Sequence, residues 1–150
     1  MREIHSLEQL RACVGEHVAS SDWTAISQER VNTFAQATGD LQWIHIDVER
    51  ASRESPFGGP IAHGFLTLSL LPMLMQNAVH LNFVKMGVNY GLNKVRFPAP
   101  VPVGSRLRAH IKLLQCDDIN DGAQVNWEVT IEREGSDKPV CVAESIARIY

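Results

Sequence analysis

Hydrophobic positions recur at helical spacing in the first part of the chain. Ser6 precedes an apolar series that includes Leu7 and Leu10, which predicts a short amphipathic helix closing near Gly15. Residues 17–26 form a candidate strand. The chain therefore opens with a capped helix followed by an extended segment.

A second helix is predicted to begin after Ser27, a good N-cap residue. Phe34 falls on its apolar face, and Gly39 is suited to a left-handed terminator. Residues 40–45 are then expected to form a loop or turn, and a further short helical segment to start at Asp47. This order places a loop between two helices.

The stretch 55–84 contains no Asp, Glu, Lys or Arg and predicts one long apolar helix over about 63–81, which Pro72 should kink or break. A membrane span of this length would need about 20 predominantly apolar residues. Polar or helix-breaking residues interrupt the run instead: His63, Gly64, Thr67, Ser69, Pro72, Gln76, Asn77 and His80. We interpret the segment as a core helix that is buried on most sides.

In the second half of the chain, hydrophobic residues recur at every second position. Residues 88–97, 107–114, 125–132 and 140–150 are β-rich, and turn residues separate them. The clean alternation of 125–132 is typical of a half-buried antiparallel strand. The pattern predicts an α+β fold, an antiparallel sheet wrapped around one long central helix, as a single domain over residues 1–150.

Composition narrows the classes of partner. The chain has 14 Lys and Arg against 17 Asp and Glu, a net charge of −3, which gives no support for binding to nucleic acid or to a membrane. Its cysteines, Cys13, Cys116 and Cys141, are scattered without a CxxC pair, and the first residues lack an apolar run of signal-peptide length. We expect reduced thiols and a cytoplasmic location.

Asp40 and His45 are the first candidates for chemistry. Five residues apart on one helix, their side chains would point about 140° away from each other. If Gly39 ends the helix, a loop can turn both toward one point, where the imidazole could take a proton from water beside a carboxylate. The alternative is that Asp40 caps a turn and His45 is a hydrogen-bonded core residue.

A second candidate cluster, Ala62-His63-Gly64, lies at the predicted start of the long helix. A free backbone N–H of Gly64 could bind a thioester carbonyl and the enolate-like charge that develops on it. The alternative is that Gly64 only permits close packing against a strand. Possible metal ligands are present, namely Asp40, His45, Asp47 and His63. No metal site is expected, because HExxH, zinc-finger and EF-hand signatures are missing, and no cofactor is expected, because GxGxxG and Walker signatures are missing. No serine lies in a GxSxG nucleophile motif.

These residues resemble the MaoC-like (R)-specific enoyl-CoA hydratase and dehydratase family, in particular its nodulation-protein-N-like branch. The family signature is an aromatic residue, a short spacer, a small residue, Gly-Asp-x-Asn-Pro-aliphatic-His and, after five intervening residues, Ala or Ser. Phe34, Thr38, Gly39, Asp40, Ile44, His45 and Ala51 are all in register with it. Ala62-His63-Gly64 matches a second family segment, and the resemblance covers about residues 20–150.

The resemblance implies a hot-dog fold and a homodimer whose sheets join. It implies a lyase that hydrates a trans-2-enoyl-CoA thioester to the (3R)-hydroxyacyl-CoA, or runs the reverse dehydration, as in fatty acid metabolism. Asp40 and His45 would be catalytic, with His45 most simply the base, and Gly64 would donate its N–H to the thioester oxygen. His63 and Gln42 would belong to the substrate-binding region, and Leu66, Leu70 and Met73 could line an acyl channel.

Some positions depart from the family pattern. Gln42-Trp43 replaces Asn-Pro, and Pro72 stands where some relatives have a serine near the active site. Because Asp40 and His45 are intact, these changes bear on substrate range more than on the reaction. A thioesterase on the same fold and a non-catalytic acyl-thioester binding module are the competing functions. CoA phosphates could be contacted by some of Lys85, Lys94, Arg96, Arg106 and Arg108, which otherwise are solvated strand charges.

Overall fold

The computed structural model describes all 150 residues. Its helices are α1 (Leu7–Ala12), α2 (Gln28–Thr38), α3 (Trp43–Ile46), α4 (Val48–Glu54), α5 (Gly64–Ser69) and α6 (Leu71–Gln76). Its strands are β1 (Arg2–Ile4), β2 (His17–Ser20), β3 (Thr24–Ala25), β4 (Val79–Leu81), β5 (Gly87–Arg96), β6 (Arg106–Ile119), β7 (Gly122–Arg133) and β8 (Cys141–Ile149). The four long strands predicted in the second half are confirmed, and β6 extends several residues beyond its predicted end.

One antiparallel sheet organises the molecule. Its strands follow the order β2, β6, β7, β8, β5, and β3 also pairs with β6. The hairpin between β6 and β7 turns at Asn120 and Asp121, and Asp121 takes a positive φ of 63°, which Asn and Asp tolerate better than most residues. Alternate residues of β6 and β7 are buried, so one face of the sheet points into the core.

The central apolar segment is two short helices in sequence rather than one. Helix α5 gives way to α6 at Leu70, and Pro72 lies in the first turn of α6, where its missing N–H costs no helical hydrogen bond. The predicted interruption near Pro72 is confirmed, and the break itself lies at Leu70, two residues earlier. These helices bury four leucines against the inward face of the sheet: Leu66, Leu70, Leu71 and Leu74. The arrangement is the expected hot-dog fold.

The predicted end of the central helix was wrong. Helix α6 ends at Gln76, and β4 forms a parallel ladder with β1, in which Glu3 lies opposite His80. Neither short strand was predicted, because their pairing joins segments more than 70 positions apart and local periodicity carries no information about it. None of the helices combines the length and the apolar character needed to cross a membrane.

The predicted helix starts are confirmed in the first half. The side chains of Ser6 and Ser27 accept hydrogen bonds from backbone N–H groups and so cap α1 and α2. Asp47 caps α4 in the same way. The single strand expected over 17–26 is two strands, β2 and β3, with Ser21–Trp23 between them.

Candidate active site

Asp40 lies directly beyond the end of α2. Gly39 ends that helix in the left-handed region, with φ of 79°, and its N–H donates to the carbonyl of Ala35 at 2.8 Å. This terminator turns the chain away from the helix axis, so Asp40 and His45 do not share one continuous helix. The Asp40 side chain is exposed, and its only hydrogen-bond contact in the chain is a long one, 3.4 Å, from the backbone N–H of Gln42.

His45 lies on α3, which is a correction to the predicted loop over residues 40–45: only residues 40–42 are non-helical. The residue is 6% exposed. Its Nδ1 lies 2.6 Å from the carbonyl oxygen of Ile61, and because a carbonyl only accepts, Nδ1 carries the proton. Nε2 of the neutral ring is therefore left with a lone pair.

The surroundings of His45 favour that neutral ring. Burial lowers the pKa of His45 below its ordinary value, and the neighbouring His63 acts in the same direction. The hydrogen bond to Ile61 and the charge of Asp40 oppose this change without reversing it. A buried, unprotonated imidazole oriented by a backbone acceptor is suited to the role of general base.

His63 is packed against His45. The two imidazole rings are stacked, with centroids 3.8 Å apart and planes inclined by 27°. The His63 ring also lies 5.0 Å from the ring of Phe34, and its Nε2 is 3.1 Å from the backbone carbonyl oxygen of Asp40. Its Nδ1 is buried without a partner, and the residue is 2% exposed. The side chain therefore offers almost no surface to a ligand.

Asp40, His45 and His63 form one compact cluster. A carboxylate oxygen of Asp40 and one nitrogen of each imidazole lie within 4.8 Å of one another. These donors do not fit a metal ion well. Imidazole lone pairs lie in the ring planes, and two stacked planes inclined by 27° direct them side by side rather than to one point. The arrangement fits a water molecule held between a carboxylate and an imidazole better.

Gly64 is the first residue of α5, and its N–H has no hydrogen-bond partner within the chain. It is therefore free to donate to a ligand. A Cβ at this position would lie 3.1 Å from the ring of Phe97, so the glycine also allows close packing. Both interpretations of Gly64 offered by the sequence are compatible with this geometry.

A family model described as MaoC like domain matches residues 9–134. The chain belongs to the MaoC-like family. It is 56% identical over 149 residues to 3-hydroxyacyl-thioester dehydratase Z of Mycobacterium tuberculosis, covering 99% of this chain and 98% of that one. It is 42% identical over 146 residues to nodulation protein N of Rhizobium leguminosarum bv. viciae, covering 96% and 91%. The expected resemblance to the family and to its nodulation-protein-N-like branch is confirmed.

A solved (R)-hydratase from A. caviae involved in PHA biosynthesis has the same fold. It superposes with a TM-score of 0.71 at 21% sequence identity, covering 90% of this chain and 97% of that one. At this level of identity the likeness speaks for the hot-dog architecture alone.

Gln42, a predicted site residue, and Trp43, which departs from the family pattern, lie between Asp40 and His45 in the chain. Gln42 is exposed, and its side chain makes no hydrogen bond in the chain; its carbonyl accepts from the N–H of His45 at 3.1 Å. Trp43 is partly buried beneath the guanidinium of Arg50, whose Cζ is 4.2 Å from the ring centroid. The Gln42 amide is therefore available to a ligand and does not itself orient His45.

The remaining predicted residues, Asp47 and the candidate contacts to CoA phosphates, lie outside the cluster of Asp40, His45 and His63. Asp47 caps α4 and stands apart from the Asp40 cluster. Arg106 and Arg108 form ion pairs with Glu134 and Glu132 and pack over Trp23, so they are engaged elsewhere on the sheet. Lys85, Lys94 and Arg96 are exposed.

Two groups that hold His45 were missed by sequence reasoning. The amide Nε2 of Gln28 donates to the backbone carbonyl of His45 at 2.7 Å, and the Ile61 carbonyl accepts from the imidazole. Gln28 is 17 positions from His45 and occupies an ordinary place in the first turn of α2. The Ile61 contact uses a backbone atom, which any residue type would supply. Neither carries a signal in the sequence.

A cavity of about 480 Å³ lies between the central helices and strands β5, β7 and β8. Its lining is largely apolar and includes Leu68, Pro72, Met75, Tyr90, Leu92 and Trp127. Leu66, Leu70 and Met73 lie instead along a separate, more open groove against α2. Leu66 and Leu70 are also members of the hydrophobic core.

Proposed function

We propose that the protein catalyses the (R)-specific hydration of a trans-2-enoyl-CoA to the (3R)-hydroxyacyl-CoA, or the reverse dehydration, with Asp40 and His45 as the acid/base pair. Membership in a dehydratase family, and similarity to a protein named as a 3-hydroxyacyl-thioester dehydratase, support a lyase acting on a thioester. The single observation that carries the proposal is the close approach of the Asp40 carboxylate to His45, whose Nδ1 is already committed to Ile61.

In the hydration direction, one water molecule lies between the Asp40 carboxylate and Nε2 of His45. His45 takes a proton from that water as its oxygen forms a bond to C3 of the substrate. The electron pair of the C2–C3 double bond moves toward the thioester carbonyl and gives an enolate. The proton that His45 took from water passes to the Asp40 carboxylate, which delivers it to C2 and forms the C2–H bond, so both side chains return to their starting protonation states. The sum is one water added across the double bond.

The N–H of Gly64 is the proposed donor to the thioester oxygen. It is unpaired within the chain, and it belongs to the segment that also carries His63 and follows Ile61. Charge on that oxygen grows from the ground state to the enolate, so a fixed donor stabilises the transition state more than the substrate.

The acyl group is proposed to occupy the cavity lined by Leu68, Pro72 and Met75. The cavity volume of about 480 Å³ falls in the range of ordinary small-molecule pockets, and the cavity lining is mostly apolar. Pro72 supplies no hydroxyl there. The exposed cations Lys85, Lys94 and Arg96 are the remaining candidates for contacts to CoA phosphates.

We also propose that two copies of the chain join through β5. This strand ends the sheet and pairs only with β8, so its other edge is open. All its residues except Val95 are exposed, including large side chains such as Tyr90 (57%) and Leu92 (45%). An open apolar edge favours pairing with another strand, and a second copy would also cover one wall of the 480 Å³ cavity.

The free thiols of all three cysteines support a cytoplasmic location.

The reaction is tested by following loss of the enoyl-thioester absorbance of crotonyl-CoA and by chiral analysis of the product. Asp40→Asn and His45→Gln are each expected to lower kcat/KM by at least about 100-fold while the fold is retained, because each removes a proton-transfer group. Matched controls are Asp22→Asn and His80→Gln, which alter an exposed carboxyl and an exposed imidazole outside the cluster.

Near-wild-type hydration by either site variant would overturn the assignment of the pair. Formation of the (3S)-hydroxyacyl-CoA would overturn the proposed (R)-specificity. Release of free CoA thiol from a saturated acyl-CoA, without hydration of crotonyl-CoA, would establish the thioesterase alternative. Tight binding of crotonyl-CoA without turnover would establish the binding module.

A further inference from the structure

The imidazole of His63 contacts both members of the proposed catalytic pair, yet the proposed reaction gives it no step. Its Nε2 meets the backbone of Asp40, and its ring face lies on that of His45. We propose that His63 is a positioning residue that fixes the Asp40 loop against the His45 imidazole through a hydrogen bond and a ring stack. This inference rests on the proposed function of Asp40 and His45.

The hydrogen bond is the principal restraint on the Asp40 loop. Residues 40–42 make three hydrogen bonds. Two are local, from the Gln42 N–H to the Asp40 carboxylate and from the His45 N–H to the Gln42 carbonyl. The third joins the Asp40 carbonyl to Nε2 of His63 and is the only one that ties these residues to a distant part of the chain. Without it, an exposed carboxylate on a three-residue loop has no fixed distance to the imidazole.

The same segment holds His45. The Ile61 carbonyl fixes Nδ1 of that ring, and two residues later the His63 ring covers its face. Residues 61–63 therefore contact His45 twice, through a hydrogen bond to Nδ1 and a stack on the ring face. They contact Asp40 through its backbone carbonyl. Phe34 of α2 packs against His63 and restricts the rotation of this ring in turn. The relative placement of the pair depends on one short segment.

Two other roles for His63 fit the geometry less well. A substrate ligand needs accessible surface, whereas His63 is 2% exposed and its Nδ1 is buried. A residue that only fills the core would be replaced best by an apolar ring of similar size. The contact of Nε2 with a carbonyl that has no other partner argues against a purely space-filling role.

The roles are separated by His63→Phe and His63→Gln. Phenylalanine keeps a ring over His45 but removes the donor to Asp40, whereas glutamine keeps an amide donor of similar reach and removes the ring. We expect kcat for crotonyl-CoA hydration to fall by about 100-fold in His63→Phe, because misplaced catalytic groups lose rate at this scale, with KM changed by less than about 3-fold. His63→Gln is expected to recover part of that loss.

Thr67→Val is the matched control. Thr67 is buried one turn further along α5, and its hydroxyl makes only a 3.4 Å contact with the His63 carbonyl. The kcat of the Thr67→Val enzyme should stay near that of the wild type. A His63→Phe enzyme as active as wild type, or more active than His63→Gln, would reduce His63 to a packing residue. A loss expressed mainly in KM would make it a substrate ligand.

A measurement on the wild-type protein does not depend on any variant folding. Long-range proton–nitrogen NMR spectra of the imidazoles report which nitrogen is protonated. The expected result is a proton on Nε2 of His63 and on Nδ1 of His45. A proton on Nδ1 of His63 alone would contradict the hydrogen bond and overturn the proposal. Activity retained in Asp40→Asn and His45→Gln would overturn the catalytic assignment instead, so the two failures are distinguishable.

Discussion

The imidazole of His45 donates from Nδ1 to the carbonyl oxygen of Ile61 across 2.6 Å. This contact joins α3 to the segment that leads into the central helices, and it leaves Nε2 as the only nitrogen of the ring that can accept a proton. Because an acceptor fixes the tautomer, the imidazole of His45 is oriented by the chain itself. In the proposed reaction, the protonation state of His45 then governs the rate at acid pH.

The acid limb of the pH profile should lie below pH 6.5. Burial lowers the pKa of His45, so the unprotonated base persists to lower pH than an ordinary histidine, whose pKa is about 6.5. The measurement is kcat/KM for crotonyl-CoA hydration as the pH is lowered, with the fold followed by circular dichroism at each point. A limb at or above pH 6.5 with the fold intact would contradict the described burial of His45.

The role of the Gly64 N–H can be separated from the space that Gly64 provides. Gly64→Ala and Gly64→Pro both add a Cβ near Phe97, but only proline removes the N–H, and proline is well tolerated at the first position of a helix. We expect Gly64→Pro to have a kcat lower than that of Gly64→Ala by about 100-fold or more, the usual effect of deleting an oxyanion donor. Equal activities would exclude the N–H as the donor.

The Gln28 amide should contribute to both stability and rate. Gln28→Ala leaves the His45 carbonyl without its donor at 2.7 Å, and loss of such a bond costs about 1 kcal/mol of the free energy of unfolding. The control is Gln36→Ala, which changes an exposed glutamine without side-chain hydrogen bonds on the same helix. Urea unfolding and crotonyl-CoA hydration provide the readouts. If Gln28→Ala and Gln36→Ala have the same free energy of unfolding and the same activity, Gln28 does not restrain α3.

The assembly should depend on the exposed edge of the sheet. Val88 of β5 and Val14, which follows α1, are each 44% exposed. A charge introduced by Val88→Glu should oppose pairing through β5, whereas Val14→Glu should leave it intact. Light scattering after gel filtration is expected to give about twice 16.7 kDa for the wild type and for Val14→Glu, and about 16.7 kDa for Val88→Glu. A dimeric Val88→Glu protein would move the interface elsewhere.

Thiol labelling should report on the core. Burial raises the pKa of the Cys141 thiol to about 11, so thiolate is scarce at neutral pH and the group is also inaccessible. A disulfide reagent is expected to label Cys141 only after unfolding, as judged by peptide mass spectrometry. Rapid labelling in the native state would mean that β8 opens locally.

Local signals in the sequence were sufficient for much of the fold. Ser6, Ser27 and Asp47 predicted three helix starts, because a capping side chain acts on N–H groups only two or three residues away. Alternation predicted β7, because residues two apart share one face of a sheet. The β1–β4 ladder escaped prediction, since its hydrogen bonds join the two ends of a long segment.

The sequence by itself determined the components of the candidate site. Gly39 ends α2 because glycine adopts positive φ without strain, and the Asp40 and His45 register identified the family. Only the tertiary structure decided how these components meet. It brings the Ile61 carbonyl to Nδ1, the His63 ring onto His45 and the Gln28 amide beneath α3. The physical reason is that such contacts join residues distant along the chain and use backbone atoms or ring faces, which leave no local pattern.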